Sequence, residues 1–427
     1  MPSLQDMSKE DLRRHEDDLV AKFTALRGRN QNIDMTRGKP SAAQLDLSND
    51  LFGMVTSEDY AGEDDTDLRN YGGPSGIAEA KALFADWLDV PTTNIFIGGN
   101  FSLQLMYDAL TRAMMFGVPG GDGAWRDVED VSFICPIPGY DRHFAVCETL
   151  GIKMITVDML DDGPDMDAVE ALVADNPAIK GIWCVPKYSN PSGIVYSSAV
   201  IKRLAEMKTA APDFRIMWDN AYAAHNFDGE LAQIDNMFDV AARSGNPDRP
   251  LLFASTSKVT FPGAGIAVVA GSTANMADIL HHTFMATIGH DKLNQLRHVR
   301  FFGDVAGLHA HMNKHGNLLR PKFAAVAGAM ETAFTGKDFA TWNAPQGGYF
   351  VSVDLLDGCA TETVRLASEA GLKLTPAGAC HSYGNDPQDR TLRLAPTFPT
   401  LEDVERAMEI FCVSAEFACT RKLLSEG

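Results

Sequence analysis

The chain has 427 residues, of which 45% are hydrophobic and 22% are charged. This length exceeds what one hydrophobic core usually organises and predicts two domains, or three. The formal net charge of −20 argues against nucleic acids and anionic membranes as partners, because both require basic surface.

The chain lacks the patterns of export and membrane insertion. No stretch approaches the roughly 20 consecutive apolar residues that span a bilayer, and the first twenty residues, MPSLQDMSKEDLRRHEDDLV, are too polar and acidic for a signal peptide. The seven cysteines form no CxxC pair. We therefore expect neither a disulfide framework nor a bound metal, and the reducing cytoplasm fits best.

The N-terminal part begins with a predicted amphipathic helix at 4–28, whose apolar face is formed by Leu12, Leu19, Val20, Phe23 and Leu26. The loop NIDMTRGKPS follows. From about 77 to 117 the pattern is helical, interrupted at 95–99 by IFIGG. That interruption predicts a short strand that runs into a glycine turn.

The middle of the chain alternates between strands and helices. Apolar stretches predict strands at 131–136, 152–159, 179–186, 214–222, 251–255 and 265–272. Helical patterns separate several of them, as at 165–175 and 197–208. This alternation is typical of a parallel sheet that helices cover on both faces.

The C-terminal part has a different pattern. A long helical region at about 290–334 precedes two predicted strands, GGYFVSVDL and TLRLAP, and helices at 361–370 and 400–423. This mixture indicates a smaller α+β domain.

We place the domain boundaries accordingly. The large domain covers residues 51–305 and the small C-terminal domain covers residues 306–427. Residues 1–50 form an N-terminal segment that we expect to pack with the small domain.

Unusual polar residues follow the predicted strands, where ligands of open α/β sheets bind. Lys258 in STSKVTFPGAG follows LLFA, Asp219 in WDNAY ends an apolar stretch, and Asn190 in YSNPSG follows IKGIWCVP. Each residue has a structural interpretation: a solvated loop lysine, a helix N-cap and a turn. No single motif therefore establishes a site.

Together, the same residues suit a cofactor that carries an aromatic ring. A lysine amine can form a Schiff base, and a buried carboxylate can keep a pyridine nitrogen protonated so that the ring withdraws electrons. Tyr222 and Asn190 could reach a ring oxygen. In PIPGYDRH, the aromatic residue could stack on the ring, and His143 could bond to Asp219 from behind.

The segment IGGNFSLQLMYDAL (97–110) predicts a strand, a glycine turn and the start of a helix. Backbone N–H groups of residues 99–102 would face outward at the helix N-terminus, which suits a phosphate. A glycine turn alone is a weak indication of such a site.

The order of these motifs resembles that of the fold-type I pyridoxal-phosphate-dependent aminotransferases of class I/II. NPSG, DNAY, SxSK and the arginine of LRL appear in the family's order, and the resemblance covers about residues 30–420. GKPS, GNFSLQLMYD and PGYDRH resemble a bacterial subgroup that includes aspartate aminotransferases and is related to MocR-type domains. The implied fold is an α/β large domain with a mostly parallel seven-stranded sheet, plus a smaller α+β domain.

The resemblance implies a role for each motif residue. Lys258 would form the Schiff base with pyridoxal 5′-phosphate and move the substrate proton. Asp219 would pair with the pyridine nitrogen. Tyr222 and Asn190 would bind the ring hydroxyl, and Tyr140 would stack on the ring.

The resemblance also implies how the phosphate is held. Its ligands would be Gly99, Asn100, Phe101, Ser102, Ser255 and Ser257. Tyr71, in RNYGGPSG, would reach the phosphate of the other subunit's cofactor. This implies a homodimer with shared active sites.

Arg393, in LRLAPTFP, lies on a predicted half-buried strand, where an arginine is rarely buried unless it is paired. Its partner could be an internal carboxylate or a ligand. The resemblance implies that Arg393 binds the substrate α-carboxylate through two parallel hydrogen bonds, with help from Asn190. Arg37 and Gly38 of TRGKP would belong to the same substrate site.

The chain departs from the family at one position. Most relatives carry a phosphate-binding arginine about eight residues after the lysine, where this chain has Gly265. The residue that replaces this arginine is left open. So is the cation that would bind a substrate's side-chain carboxylate, for which the candidates are Arg37, Lys39, Lys292 and Arg297.

The resemblance favours amino transfer between L-aspartate and 2-oxoglutarate. An aminotransferase for alanine or aromatic amino acids, or a β-lyase or decarboxylase that uses the same cofactor, remains an alternative. A non-enzymatic sensing domain is disfavoured, because only about 30 acidic-leaning residues precede GKPS and such regulators carry a basic DNA-binding module there.

Overall fold

The computed structural model describes residues 3–227 and 231–426. Its helices are α1 (Lys9–Arg27), α2 (Ala42–Asp46), α3 (Ala78–Leu88), α4 (Ser102–Phe116), α5 (Asp141–Thr149), α6 (Met166–Asp175), α7 (Ser198–Glu206), α8 (Met237–Arg243), α9 (Thr273–Ala286), α10 (Lys292–Phe302), α11 (Val305–Phe334), α12 (Ala360–Glu369) and α13 (Leu401–Glu426). No helix within the described ranges is long and apolar enough to cross a membrane.

The strands fall into three sheets. They are β1 (Ile33–Asp34), β2 (Ile95–Ile97), β3 (Ser132–Ile137), β4 (Lys153–Leu160), β5 (Gly163–Pro164), β6 (Ile179–Cys184), β7 (Arg215–Asp219), β8 (Pro250–Ser255), β9 (Ala267–Ala270), β10 (Ala340–Trp342), β11 (Val351–Leu355), β12 (Leu372–Lys373) and β13 (Thr391–Leu394). The large sheet has the order β2-β9-β8-β7-β6-β3-β4-β5.

The large sheet confirms the predicted α/β architecture. The pairs from β4 through β3, β6 and β7 to β8 are all parallel. Strand β9 is antiparallel to both β2 and β8. The two-residue strand β5 adds an antiparallel edge beside the seven strands that were expected.

Both faces of the large sheet are buried, which explains the nearly continuous apolar strands. On one face, Ile134, Ile182 and Ile216 of adjacent strands belong to one hydrophobic core. Their sequence neighbours, such as Phe133 and Trp183, point the other way into a second core. This alternation follows from the two-residue period of a strand.

The N-terminal helix α1 packs against the C-terminal part of the chain. Leu12, Leu19, Phe23 and Leu26 are buried in a third core that also contains residues of α11, α12 and α13. The ring of Phe23 lies 5.7 Å from that of Phe417. Val20 was expected on the buried face but is 41% exposed.

Two further contacts shape this region. Strand β1 pairs in parallel with β12 and so joins the N-terminal segment to the C-terminal part. Strands β10, β11 and β13 form an antiparallel sheet. The domain boundaries at residues 50 and 305 remain a prediction.

Two helical features differ from the sequence prediction. The region 290–334 is divided into α10 and α11 at Gly303, whose φ of +71° is a left-handed conformation that ends a helix readily. Helix α9 was not predicted. Its buried residues are Asn275, Met276 and Ile279, so its apolar face is short and its helical period is weak.

Candidate active site

One cavity lies at the carboxyl ends of the central strands and reaches the C-terminal sheet. Its volume is about 700 Å³. The predicted site residues that line it are Arg37, Gly38, Ser102, Tyr140, Asn190, Asp219, Tyr222, Lys258 and Arg393. Residues from distant parts of the chain therefore meet in one place.

Lys258 lies in the turn that follows β8, which ends at Ser255. Its Nζ lies 5.1 Å from the ring centre of Tyr222 and 5.9 Å from that of Tyr349. Burial lowers the pKa of the Lys258 amine, while the nearby Asp219 carboxylate opposes this shift. The amine therefore loses its proton more readily than an exposed lysine, as a nucleophile requires.

Asp219 ends β7 and is only 3% exposed. Its Oδ2 lies 3.0 Å from Nε2 of His143, so the predicted contact behind the carboxylate is present. The His143 ring stacks on Trp183, with 4.1 Å between ring centres and 5° between planes. This stacking fixes the imidazole, and through it the carboxylate.

The second carboxylate oxygen of Asp219 decides whether the site suits the expected cofactor. Oδ1 is buried and has no hydrogen-bond partner among the described residues. A buried carboxylate oxygen without a donor is costly. A protonated ring nitrogen would supply that donor, so the residues present fit a pyridine ring.

Two tyrosines and an asparagine line the same part of the cavity. Burial raises the pKa values of Tyr140 and Tyr222, which keeps both hydroxyls neutral and able to donate. The amide oxygen of Asn190 lies 3.3 Å from Nη1 of Arg393. Because that oxygen accepts from the guanidinium, the amide NH2 remains available as a donor to a ring oxygen.

The segments that were predicted to bind an anion lie next to one another, close to Lys258. Helix α4 begins at Ser102, and no side chain caps its N-terminus. The hydroxyl of Ser255 donates to that of Ser257 at 3.0 Å, and the Ser257 hydroxyl donates to the Asn100 carbonyl at 3.2 Å. The 99–102 turn and both serines are therefore neighbours. Among the predicted phosphate ligands, Ser102 also lines the cavity itself.

The structure explains why Gly265 carries no side chain. A Cβ atom there would lie 2.9 Å from Oγ1 of Thr256 and 3.1 Å from the Phe261 carbonyl. The Thr256 hydroxyl is held in place by the N–H of Ile266, which donates to it at 2.9 Å. Thr256 thus crowds the position that the Cβ atom of an arginine would take.

Arg393 lies on β13 and is 6% exposed. Its Nη1 is 3.0 Å from Oδ1 of Asp141, and its guanidinium carbon lies 4.8 Å from the ring centre of Phe350. The sequence left open an internal partner or a ligand. The structure shows the internal ion pair and also places Arg393 in the cavity wall.

Of the four candidate cations for a second carboxylate, two lie in the cavity wall and two lie outside it. Arg37 and Lys39 line the cavity, whereas Lys292 and Arg297 do not. The Lys292 amine donates to the Gly72 carbonyl at 3.1 Å, and Arg297 bonds to its helix neighbour Asn294. Neither residue therefore lies in the cavity wall of this chain.

The sequence prediction missed several cavity residues. Arg142 is exposed and lines the cavity directly after Tyr140 and Asp141, so its position in PGYDRH could have revealed it. Others come from distant segments and carry no local signal: Phe350, Thr375, Pro376 and Ala379. Tyr71 does not line the cavity and is 80% exposed.

Comparisons with known proteins agree with this geometry. The sequence model of the aspartate aminotransferase family matches residues 7–426. An aspartate aminotransferase of Corynebacterium glutamicum is 43% identical over 407 residues, which cover 95% of this chain and 94% of that protein. The crystal structure of an aspartate transaminase from C. glutamicum superimposes with a TM-score of 0.97 at 42% identity and covers 99% of both chains.

A more distant structure shares the fold alone. The α-aminoadipate aminotransferase of Thermus thermophilus, complexed with N-(5′-phosphopyridoxyl)-L-leucine, has a TM-score of 0.74 at 19% identity. It covers 93% of this chain and 94% of its own.

Proposed function

The chain belongs to the aspartate aminotransferase family of fold-type I transferases, and we propose that it is a pyridoxal-phosphate-dependent aminotransferase acting between L-aspartate and 2-oxoglutarate. One observation carries the proposal: the Lys258 amine, the unpaired Asp219 oxygen and the Arg393 guanidinium meet in one cavity. We place the enzyme in the cytoplasm, because its seven cysteines are unpaired.

Each group of residues would hold one part of the cofactor. Asp219 would accept a hydrogen bond from the pyridine N–H, with His143 as its second partner. Tyr222 and the Asn190 amide would donate to the ring oxygen. Tyr140 would cover one face of the ring.

The phosphate would lie at the N-terminus of α4, against Ser255 and Ser257. Backbone N–H groups at a helix start attract anions. Gly265 supplies no cation, so these donors would carry more of the phosphate's charge than an arginine-containing site requires of them.

The protein supplies binding and proton transfer. When bound, the cofactor supplies an electron-withdrawing ring that accepts the electron pair left at the substrate α-carbon. Arg393 would bind the α-carboxylate, and Lys258 Nζ would take the α-proton and hold it for return. The lowered pKa of Lys258 favours the neutral amine that this base requires.

The preference for a dicarboxylic substrate requires a second cation. Arg37, Lys39 and Arg142 are exposed cations in the cavity wall. The Lys39 amine lies over the ring of Phe398, 3.7 Å from its centre, whereas Arg37 and Arg142 form no ion pair with a described residue. We assign the side-chain carboxylate to one of them. The test compares KM for L-aspartate and L-alanine in Arg37→Gln and Arg142→Gln. Loss of the residue that binds the side-chain carboxylate should raise KM for L-aspartate and leave KM for L-alanine unchanged.

The enzyme would act as a homodimer in which Tyr71 completes the partner's site. Its loop packs on the start of α10, where the Lys292 amine donates to the Gly72 carbonyl. Nearby, Phe284, Met285 and Ile288 are 55%, 75% and 51% exposed. Such an exposed apolar patch is typical of a protein interface.

Subunit mixing tests the shared site. Lys258→Ala and Tyr71→Ala are each expected to be nearly inactive. A mixed dimer would contain one site with both changes and one intact site, so mixing should restore activity. If mixed dimers form and remain inactive, Tyr71 does not serve the partner's site.

The central experiment is an absorbance spectrum of the purified protein. We expect a yellow cofactor band that L-aspartate, added without an oxo acid, converts to the aminated cofactor, and no such band in Lys258→Ala. A band that L-aspartate leaves unchanged would refute the substrate. No band after addition of pyridoxal phosphate would refute the cofactor.

A further inference from the structure

Asp141 bonds to the guanidinium that the proposed function assigns to the substrate α-carboxylate. Its Oδ1 lies 3.0 Å from Nη1 of Arg393, the atom that also contacts Asn190 at 3.3 Å. The Nε of Arg393 is buried and has no partner among the described residues. Of the two nitrogens at the outer end of the guanidinium, Asp141 occupies Nη1.

The two partners of this ion pair differ in how firmly they are held. The side chain of Arg393 is 5% exposed, whereas that of Asp141 is 36% exposed. Phe350 covers the guanidinium from one side. If the ion pair breaks, the Asp141 carboxylate would therefore move and Arg393 would stay in place.

Asp141 also has an alternative stabilisation. It is the first residue of α5 and the acidic residue of its first turn. Free backbone N–H groups and the helix dipole favour a carboxylate at that position. Asp141 can therefore release Arg393 without becoming an unstabilised charge.

We propose that Asp141 determines substrate affinity by competing with the substrate α-carboxylate for Arg393. A ligand carboxylate that binds end-on, through Nη1 and Nη2, has to displace the Asp141 carboxylate from Nη1 before it can form both parallel hydrogen bonds. A simple monocarboxylate forms few other contacts in the cavity, so it binds weakly against this competition. An amino acid that also engages the cofactor and the exposed cations overcomes the competition.

This inference rests on the proposed role of Arg393, and Asp141→Asn tests it. We expect KM for both L-aspartate and 2-oxoglutarate to fall, and the inhibition constant of acetate to fall with them. The expected factor is about two to five, which is typical for removing one partly exposed competing charge. KM values and an acetate constant that rise or stay unchanged would overturn the proposal.

Two variants serve as controls. Asp141→Glu keeps the charge and should not lower KM. Asp239 also lies in the first turn of a helix but is not a cavity residue, so Asp239→Asn removes the same charge without altering KM. A fall in KM in either control would contradict the competition.

Arg393→Lys separates this inference from the proposed function. If Arg393 binds the α-carboxylate, this variant raises KM strongly, because an ammonium cannot form the paired hydrogen bonds of a guanidinium. An unchanged KM would refute the assignment of Arg393 itself. A raised KM together with an unchanged KM in Asp141→Asn would refute the competition alone. Circular dichroism confirms that each variant is folded.

Discussion

Because one oxygen of Asp219 is unpaired, Asp219→Asn should have opposite effects on the cofactor-free and the cofactor-loaded protein. Asp219→Asn keeps an acceptor for the 3.0 Å contact with His143 but removes the negative charge that faces the cavity. A buried charged oxygen without a partner costs about 1–3 kcal/mol. The cofactor-free variant should therefore be at least as stable as the cofactor-free wild type, by up to that amount.

The cofactor-loaded protein should respond in the opposite direction. There the Asp219 carboxylate would pair with a protonated ring nitrogen, and breaking a buried pair of this kind costs about 3–5 kcal/mol. The affinity for pyridoxal phosphate should fall roughly a hundred- to a thousandfold or more. Fluorescence titration measures that affinity, and urea unfolding of the cofactor-free protein measures the stability.

His143→Gln is the matched control. It removes the ring that contacts Oδ2 of Asp219, so neither carboxylate oxygen then has a ring donor and the cofactor-free protein should lose stability. The reasoning is refuted if cofactor-free Asp219→Asn is destabilised as much as cofactor-free His143→Gln. It is also refuted if Asp219→Asn binds the cofactor as tightly as the wild type.

Three further predictions concern other positions. Gly38→Ala would place a Cβ 2.4 Å from the ring of Phe350, which covers the substrate arginine, so KM for both substrates should rise about tenfold. Gly265→Arg should weaken cofactor binding and lower the melting temperature, because Thr256 crowds the position that its Cβ atom would take; tighter binding would contradict this packing argument. Burial lowers the pKa of His298 to about 4 from 6.5. Between these pH values the unfolded chain binds a proton that the native protein does not. The free energy of unfolding therefore decreases as the pH is lowered, by up to about 1.4 kcal/mol per pH unit. His298→Gln should lose less stability between pH 7.5 and 5.0 in urea unfolding, and an equal loss would refute the assignment.

The order of secondary structure and the main site residues could be predicted from sequence. Strands buried on both faces leave continuous apolar stretches, and their carboxyl ends mark where ligand-binding residues lie. Lys258, Asp219 and Asn190 were found in this way, since each lies at or after the carboxyl end of its own strand. Their chemistry is local, and the family's motif order supplied their proposed roles.

The weak elements of the fold could not be read from sequence. Helix α9 buries few residues, and the break between α10 and α11 depends on a single left-handed glycine, Gly303. Both are marginal signals in a periodicity analysis. Packing against the rest of the protein decides them.

The contacts that shape the cavity depended on the tertiary structure alone. Asp141 and Arg393 are 252 positions apart in sequence, and nothing in either segment indicates that they meet. The same holds for the close approach of Thr256 to Gly265, and for the position of Lys292 outside the cavity wall. Sequence periodicity reports which face of an element is buried, whereas the partner across a cavity is determined by how the elements pack.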